Sequence, residues 1–117
     1  MRGPGSASAR VAAAMSGHPE LVGGTGRDVT RFMRAHPGLV AKDGADGVYA
    51  AGLPDGGAVA FKVLDGGDRP RAAVLGAALA LAGADGEAVR AAARTPVLGH
   101  GRPVGAVLPT FGPPDGA

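Results

Sequence analysis

The amino-acid sequence predicts an α/β fold in which helices pack against an antiparallel sheet. Two apolar runs flank a Pro-Asp-Gly-Gly turn at residues 54–57, as in a β-hairpin. Segments with helical periodicity lie before and after these runs. The order of two helices, then strands, then a further helix is typical of a layered domain with an antiparallel sheet.

Two helices are predicted before the sheet, over residues 7–16 and 26–35. Apolar residues recur in both at intervals of three and four, which gives each helix one apolar face. Thr25 is the predicted N-cap of the second helix, because threonine is a residue type favoured at that position. The intervening segment, 18–24, contains a proline and two glycines and is predicted to be a loop.

Three antiparallel strands are predicted, over residues 39–42, 47–53 and 58–64. In the third strand, apolar side chains alternate with Ala60 and Lys62. Successive side chains of a strand point to opposite faces of the sheet. Lys62 is therefore predicted to face solvent, on the side of the sheet away from the core.

Two more helices are predicted after the strands, over residues 69–82 and 86–94. The first is apolar on nearly all sides, which predicts burial against the sheet. The stretch that follows is rich in Pro and Gly and has one predicted strand, 103–108.

The length of 117 residues allows one small domain. We expect a loose N-terminus over residues 1–6, the domain over 7–94, and a Pro/Gly-rich segment and tail over 95–117. Hydrophobic residues make up 45% of the chain but aromatic residues only 3%, so the core must be built mainly from Ala, Val and Leu.

Composition also bears on the sites and partners that are expected. The absence of cysteine excludes disulfides and thiolate metal sites, and the three histidines lack ligand spacing. The basic residues are scattered and the formal net charge is +2, so no nucleic-acid surface is expected. The longest apolar run, 72–82, is too short to span a bilayer. We therefore expect a cytoplasmic protein that uses no metal or cofactor and binds neither nucleic acid nor membrane.

Lys42 is the leading candidate for chemistry, because it ends a predicted strand and is followed two residues later by Gly44. A lysine there would extend into a cleft beside the strand, and a glycine would let a substrate lie close to the backbone. A lysine near a serine hydroxyl can remove its proton if burial or a second cation favours the neutral amine. The alternative interpretation is a surface lysine at a strand end, followed by a turn glycine.

Charged residues at the start of the second helix form another candidate group. Arg27 could hold a substrate carboxylate or form a surface ion pair, and both interpretations stay open. Asp28 and Arg31 lie three residues apart, which suits an exposed ion pair along the helix.

Several motifs occur in one order along the chain. They are HPELVGG at 18–24, GR at 26–27, FMRA at 32–35, LVAKDGADGVY at 39–49 and AFKVLDG at 60–66. On these motifs the chain resembles the L-asparaginase family of the rhizobial and actinobacterial type, which is itself similar to glutaminases and serine β-lactamases. The resemblance covers residues 8–82, with a weaker match through residue 108.

The resemblance implies that Lys42 corresponds to one of the two catalytic lysines of that family. It also implies hydrolysis of the side-chain amide of L-asparagine to aspartate and ammonia. In this reaction a serine attacks, a lysine acts as base, and water hydrolyses the acyl-enzyme. Gly44 and Arg27 would then contact the substrate. The fold would be the C-terminal part of a β-lactamase/glutaminase-like domain.

The chain departs from the family pattern at the nucleophile. The family's serine lies in a Ser-x-x-Lys motif, and none of Ser6, Ser8 and Ser16 has a lysine three residues later. Some family members bind zinc through two cysteines, and Val29 stands at one of those positions. We therefore expect the C-terminal part of an asparaginase, without its nucleophile and inactive by itself.

Two alternatives stay open. The chain could be a non-catalytic binding or regulatory module derived from this fold, or a subunit that completes a separate chain carrying the nucleophile. We also expect the isolated chain to expose an apolar surface around the helix at 69–82. A homo-oligomer or a missing N-terminal portion would cover that surface.

Overall fold

The computed structural model describes residues 5–113 of the chain. Parts of the predicted loose N-terminus and of the predicted tail, residues 1–4 and 114–117, lie outside the described residues. The described part holds five helices and five strands. In chain order they are α1 (Ala7–Gly17), α2 (Pro19–Gly23), α3 (Asp28–Ala35), β1 (Val40–Asp43), β2 (Val48–Gly52), β3 (Ala58–Lys62), α4 (Arg71–Leu81), α5 (Glu87–Ala93), β4 (Pro96–Gly99) and β5 (Arg102–Ala106).

The three central strands form the predicted antiparallel sheet, in the order β1-β2-β3. Val40 pairs with Gly52 at one end of β1, and Ala58 pairs with the same Gly52 next to the turn between β2 and β3. The turn between β2 and β3 is closed by hydrogen bonds between Leu53 and Gly57 and between Gly56 and Leu53. The predicted three-stranded α/β arrangement and its tight turn are therefore confirmed.

One face of the sheet is buried and the other is exposed. Ala41, Tyr49 and Ala51 point into the core, whereas Lys42 and Ala50 point outwards. This alternation follows from the two-residue period of a strand. The largest fully buried side chains join the sheet to the helices and are Tyr49, Phe32, Leu39, Leu75, Leu79, Val29 and Thr30. The helix α3 packs on β1 and α5, and α4 packs on α5.

The structure contradicts the sequence prediction around α2. The segment predicted as a loop contains a short helix, because Pro19 occupies its first turn, where a missing N–H costs nothing. Gly24 follows the helix with φ of 91°. Thr25 is not the N-cap of α3. That position belongs to Arg27, because Gly26 turns the chain with φ of 77° before the helix begins.

The sequence predicted one of the two strands of a second hairpin, which β4 and β5 form. The strand predicted over 103–108 is β5, at Arg102–Ala106, and its partner β4 was not foreseen. The turn between them uses His100 and Gly101, both with positive φ, at 50° and 79°. Two successive left-handed residues are typical of the tight turns that join hairpin strands. β4 begins at Pro96, and because proline argues against a strand, the sequence did not predict one there.

The apolar helix that was predicted to be exposed at 69–82 is only partly so. On α4 four apolar side chains are buried, Val74 and three alanines are half-buried, and Leu81 is exposed. The larger share of the exposed apolar side chains lies at the second hairpin and after it, at Val97, Leu98, Val104, Leu108 and Phe111. A two-stranded hairpin has no interior of its own, so its apolar side chains stay in solvent unless another element covers them.

No helix among residues 5–113 is long and apolar enough to cross a bilayer. The two longest, α1 and α4, have 11 residues each. A membrane-spanning helix needs about 20 residues.

Gly76 sets the close approach of α4 to α5. A Cβ atom at this position would collide with the Cβ of Ala93. We therefore expect Gly76→Val to lower the free energy of unfolding by about 1–3 kcal/mol, because overpacking forces the helices apart. Chemical denaturation measures this loss. Ala91→Val, at an exposed site of α5, is the control, and adding Ala93→Gly should relieve part of the loss. Equal losses in Gly76→Val and Ala91→Val would contradict the packing argument.

Candidate active site

Lys42 lies on β1, at an edge of the sheet, with its side chain exposed. Its Nζ donates to two oxygen atoms of the next residue, Asp43 O and Asp43 Oδ1, each at 2.8 Å. Because β1 has a free edge, the side chain can turn round it to reach the carboxylate on the other side of the strand. The Lys42 ammonium is thus bonded to Asp43, although the side chain of Lys42 is 55% exposed.

Asp43 is the centre of a group of charges. Its Oδ1 accepts from Lys42, and its Oδ2 accepts from Arg27 at 3.1 Å and from Arg71 at 3.3 Å. The side chain is only 13% exposed. The hydrogen bond from Lys42 is the main reason that the pKa of Asp43 is lowered from its ordinary value, against the effect of burial. The carboxylate is thus charged at neutral pH.

Arg71 brings α4 into the same group. Its side chain is 11% exposed and spans two carboxylates, Asp43 on β1 and Asp28 at the start of α3, the latter at 3.5 Å. The guanidinium lies over the ring of Tyr49, 5.7 Å from its centroid, in the range of a cation–π contact. We call these side chains the Asp43 cluster, namely Arg27, Asp28, Lys42, Asp43, Tyr49 and Arg71.

Tyr49 forms the floor of the Asp43 cluster. Its ring stacks on Phe61 with centroids 5.7 Å apart, and the residue is fully buried. The hydroxyl has no hydrogen-bond partner within residues 5–113. Burial raises the pKa of Tyr49, and the nearby carboxylates add to the shift. The phenol therefore stays neutral at physiological pH.

The three predicted site residues are not equally placed. Lys42 and Arg27 meet at the carboxylate of Asp43, so the structure brings them together. Gly44 lies just beyond, where its N–H donates to Val48 O at 2.8 Å. A Cβ atom at Gly44 would be 3.3 Å from Val48 Cβ. The absence of a side chain there makes room for Val48, and the role of Gly44 in substrate binding stays a prediction.

The predicted ion pair between Asp28 and Arg31 is wrong. Asp28 is largely buried, and its Oδ2 faces Arg71 rather than solvent. Its Oδ1 accepts from the backbone N–H of Val29 in the first turn of the helix. Arg31 instead donates to the carbonyl oxygen of Gly26. The helical spacing was right, but the packing of α4 supplied a better partner from a distant part of the chain.

Arg71 and Asp43 were missed because nothing local distinguishes them. Arg71 follows Pro70 at the start of an apolar helix, 28 residues after Asp43. One sequence signal existed, since an arginine at the start of an apolar helix that is predicted to be buried needs a carboxylate partner if it is buried too. The identity of that partner depends on tertiary packing.

The Asp43 cluster carries an excess of positive charge. Three cations, Arg27, Lys42 and Arg71, face two carboxylates, Asp28 and Asp43, which leaves a net charge of +1. Beside Lys42, a shallow apolar groove of about 460 Å³ runs over the exposed face of the sheet. Of the Asp43 cluster, Lys42 lines this groove. A cation in the lining of an apolar groove suits a small molecule with a carboxylate.

A larger cleft of about 710 Å³ lies between α4, α5 and residues 107–113. Its lining includes none of the predicted site residues, and its two arginines are paired with carboxylates, Arg90 with Asp85 and Arg94 with Glu87. We therefore place the candidate site at Lys42 and not in the larger cleft. Within residues 5–113, no three His, Asp or Glu side chains are grouped so that they could hold a metal ion.

Protonation of Asp43 should weaken the fold. Since the pKa of Asp43 is lowered in the folded chain, its contribution is present above the unfolded value of about 3.9 and is lost as pH falls through the lower, folded value. We expect Asp43→Asn to lower the free energy of unfolding by roughly 1–3 kcal/mol at pH 7. The difference from wild type should shrink as the pH of the denaturation experiment is lowered from 6 to about 2.

Asp68→Asn, at an exposed site, is the matched control for the loss of one carboxylate. A difference between wild type and Asp43→Asn that is the same at every pH would show that Asp43 is not held as a charged acceptor.

Comparisons with known proteins identify the family to which the chain belongs. The family model for L-asparaginase II matches residues 2–109, which include α1 to α5 and the whole Asp43 cluster. No curated protein matches the chain. A match over nearly the whole sequence identifies the family, and that family implies an amide substrate such as asparagine. The chain belongs to the L-asparaginase II family.

Proposed function

We propose that this chain supplies the Lys42 side of an asparaginase active site that hydrolyses the side-chain amide of L-asparagine. The observation that carries the proposal is that Lys42, in a chain that belongs to this family, is bonded to Asp43 and lines an open groove. Arg27, which is half exposed beside the same carboxylate, would hold the carboxylate of the substrate. Lys62, the other lysine, donates to the carbonyl oxygen of Asp46 and lies outside the Asp43 cluster.

The proposed reaction goes through an acyl-enzyme. A serine hydroxyl attacks the side-chain carbonyl carbon and a lysine takes its proton. The C–N bond then breaks as ammonia leaves, and water hydrolyses the ester. The serine of this reaction would come from outside the 117 residues. Ser6 and Ser8 hydrogen-bond to each other at the N-terminus of α1, and Ser16 donates to the carbonyl oxygen of Ala12. None of the three is bonded to Lys42 or Lys62 among the described hydrogen bonds.

We extend the proposal to the setting in which the site would work. The α/β layer would be the C-terminal part of a β-lactamase/glutaminase-like domain, acting in the cytoplasm. The preceding part of the domain, or a partner chain, would carry the Ser-x-x-Lys segment. The net positive charge of the Asp43 cluster supports binding of the α-carboxylate of asparagine and of the anionic product aspartate.

We expect the purified 117-residue chain to release no ammonia from L-asparagine above background, because a nucleophile and its base must lie within hydrogen-bond reach. Adding the N-terminal segment of another L-asparaginase II family member, as a fusion or by co-expression, should produce hydrolysis. A coupled ammonia assay measures both. The control is the same segment with the serine of its Ser-x-x-Lys motif replaced by alanine.

Hydrolysis by the isolated chain that disappears in Lys42→Ala would contradict the missing nucleophile. An unchanged rate in the serine-to-alanine control would contradict the acyl-enzyme.

A further inference from the structure

The ammonium of Lys42 is bonded to a single residue, Asp43, through its backbone carbonyl and its carboxylate. The Nζ atom bonds to Asp43 Oδ1, while the other carboxylate oxygen is held from the interior by Arg71 and from the surface by Arg27. Of these two arginines, Arg27 is 54% exposed and Arg71 is 11% exposed. An exposed side chain fixes a partner weakly because water competes for the same bonds. Arg71 is therefore the group that can hold the carboxylate in one plane.

The guanidinium of Arg71 can bond to two carboxylates at once. Its NH1 donates to Asp43 and its NH2 donates to Asp28, so one guanidinium joins β1 to the first turn of α3. The ring of Tyr49 lies beneath it and limits its tilt. A planar fork can serve two carboxylates at fixed angles, whereas the single ammonium of a lysine is a point charge on a flexible stem.

Stability alone does not account for this arginine. Its Nε is buried and has no hydrogen-bond partner among residues 5–113, and an unpaired buried donor is unfavourable. Replacing a buried ionic group by a well-packed apolar one is often neutral or stabilising. The charged group instead gives a defined geometry to Asp43, which lies one residue from Lys42.

We propose that Arg71 is a positioning residue, which orients the Asp43 carboxylate so that Oδ1 holds the Lys42 ammonium beside the groove. Its effect on catalysis rests on the proposed function, in which Lys42 acts on the substrate. Its effect on the orientation of Lys42 does not rest on that function, so the orientation and the catalytic effect can be measured separately.

The orientation can be measured on the chain itself, because Lys42 and Lys62 are its only lysines. Selective ¹³C,¹⁵N-lysine labelling yields two side-chain spin systems, with Lys62 as internal reference. In wild type the two Hε protons of Lys42 should be inequivalent and should show NOEs to Asp43. In Arg71→Met we expect both features to disappear and the side-chain order of Lys42 to fall about twofold, with Lys62 unchanged.

The matched control is Arg90→Met, which removes an arginine from a bidentate pair with Asp85 outside the Asp43 cluster. It should leave Lys42 unchanged. If Arg71→Met fails to fold, Arg71→Lys decides the question, since it keeps the charge but cannot bridge both carboxylates. A folded Arg71→Met or Arg71→Lys chain in which Lys42 keeps its inequivalent protons and NOEs would overturn the proposal.

The catalytic consequence is measured in the enzyme completed with the N-terminal segment. We expect Arg71→Lys to lower kcat about tenfold or more, with KM changed by less than about twofold, because a misplaced group affects the reacting geometry more than binding. Full activity in Lys42→Ala would refute the proposed function, yet the NMR result would still decide whether Arg71 orients Lys42. Normal kcat in an Arg71→Lys enzyme whose Lys42 is disordered would overturn the catalytic part of the inference.

Discussion

Lys42→Ala is expected to lower the turnover of L-asparagine by about 10²-fold or more once the chain is completed with a Ser-x-x-Lys segment. Positioned acid–base groups typically contribute factors of 10² to 10⁴. Lys42 makes two hydrogen bonds to Asp43 and lines the groove, and it belongs to a cluster with a net charge of +1. Its loss removes both a fixed amine and a cation from the proposed site. Steady-state ammonia release is the measurement.

Lys62→Ala is the matched control for this prediction. Lys62 is also an exposed strand lysine, but it lies on β3 and bonds to the carbonyl oxygen of Asp46. We expect Lys62→Ala to change turnover by less than about threefold, because a substitution at the surface away from the site has a small effect. Equal losses in the two variants, or a larger loss in Lys62→Ala, would mean that the catalytic lysine has been assigned to the wrong strand.

Phe32→Ala is expected to lower the free energy of unfolding by about 3–5 kcal/mol, the range found when a large buried aromatic side chain is removed. Phe32 is fully buried on α3, in the core that joins the helices to the sheet. Its ring also reaches α4, where a Cβ atom at Gly76 would be 4.0 Å from Phe32 Cε1. Denaturation monitored by circular dichroism measures the loss.

Phe111→Ala provides the comparison, since Phe111 is 47% exposed and follows the second hairpin. We expect its effect to stay below about 1 kcal/mol, because a partly exposed side chain has less apolar area to return to water. A loss as large as that of Phe32→Ala would show that the C-terminal segment belongs to the main core.

The central sheet was predictable because its signals are local. Alternation in β3 and the turn at residues 54–57 together determine which faces meet, since a slip of one residue would expose every apolar side chain of the strand. The helices α1, α3, α4 and α5 were predictable for a similar reason, because their apolar spacing repeats over at least two turns. These elements agree with the prediction to within about two residues at most ends, which is the usual uncertainty of helix limits.

The second hairpin and α2 were not predictable in the same way. β4 has four residues, begins with proline and has no buried alternation, so its strand character comes from pairing with β5. The helix α2 has five residues, fewer than an isolated helix needs to be stable. It forms because Pro19 is buried against the rest of the chain and the Thr30 hydroxyl donates to the carbonyl oxygen of Gly24.

The sequence by itself determined the α/β class, the strand order and the candidate lysine. It did so because strand alternation, helical spacing and the motif around Lys42 are properties of neighbouring residues. The tertiary structure alone decided what surrounds that lysine. Arg71 donates to Asp43, which lies 28 residues earlier in the chain. Asp28, which was predicted to form an exposed pair, accepts from Arg71 as well. Charges that far apart in sequence become partners only when the fold brings them together, and burial that excludes water makes the pairing necessary.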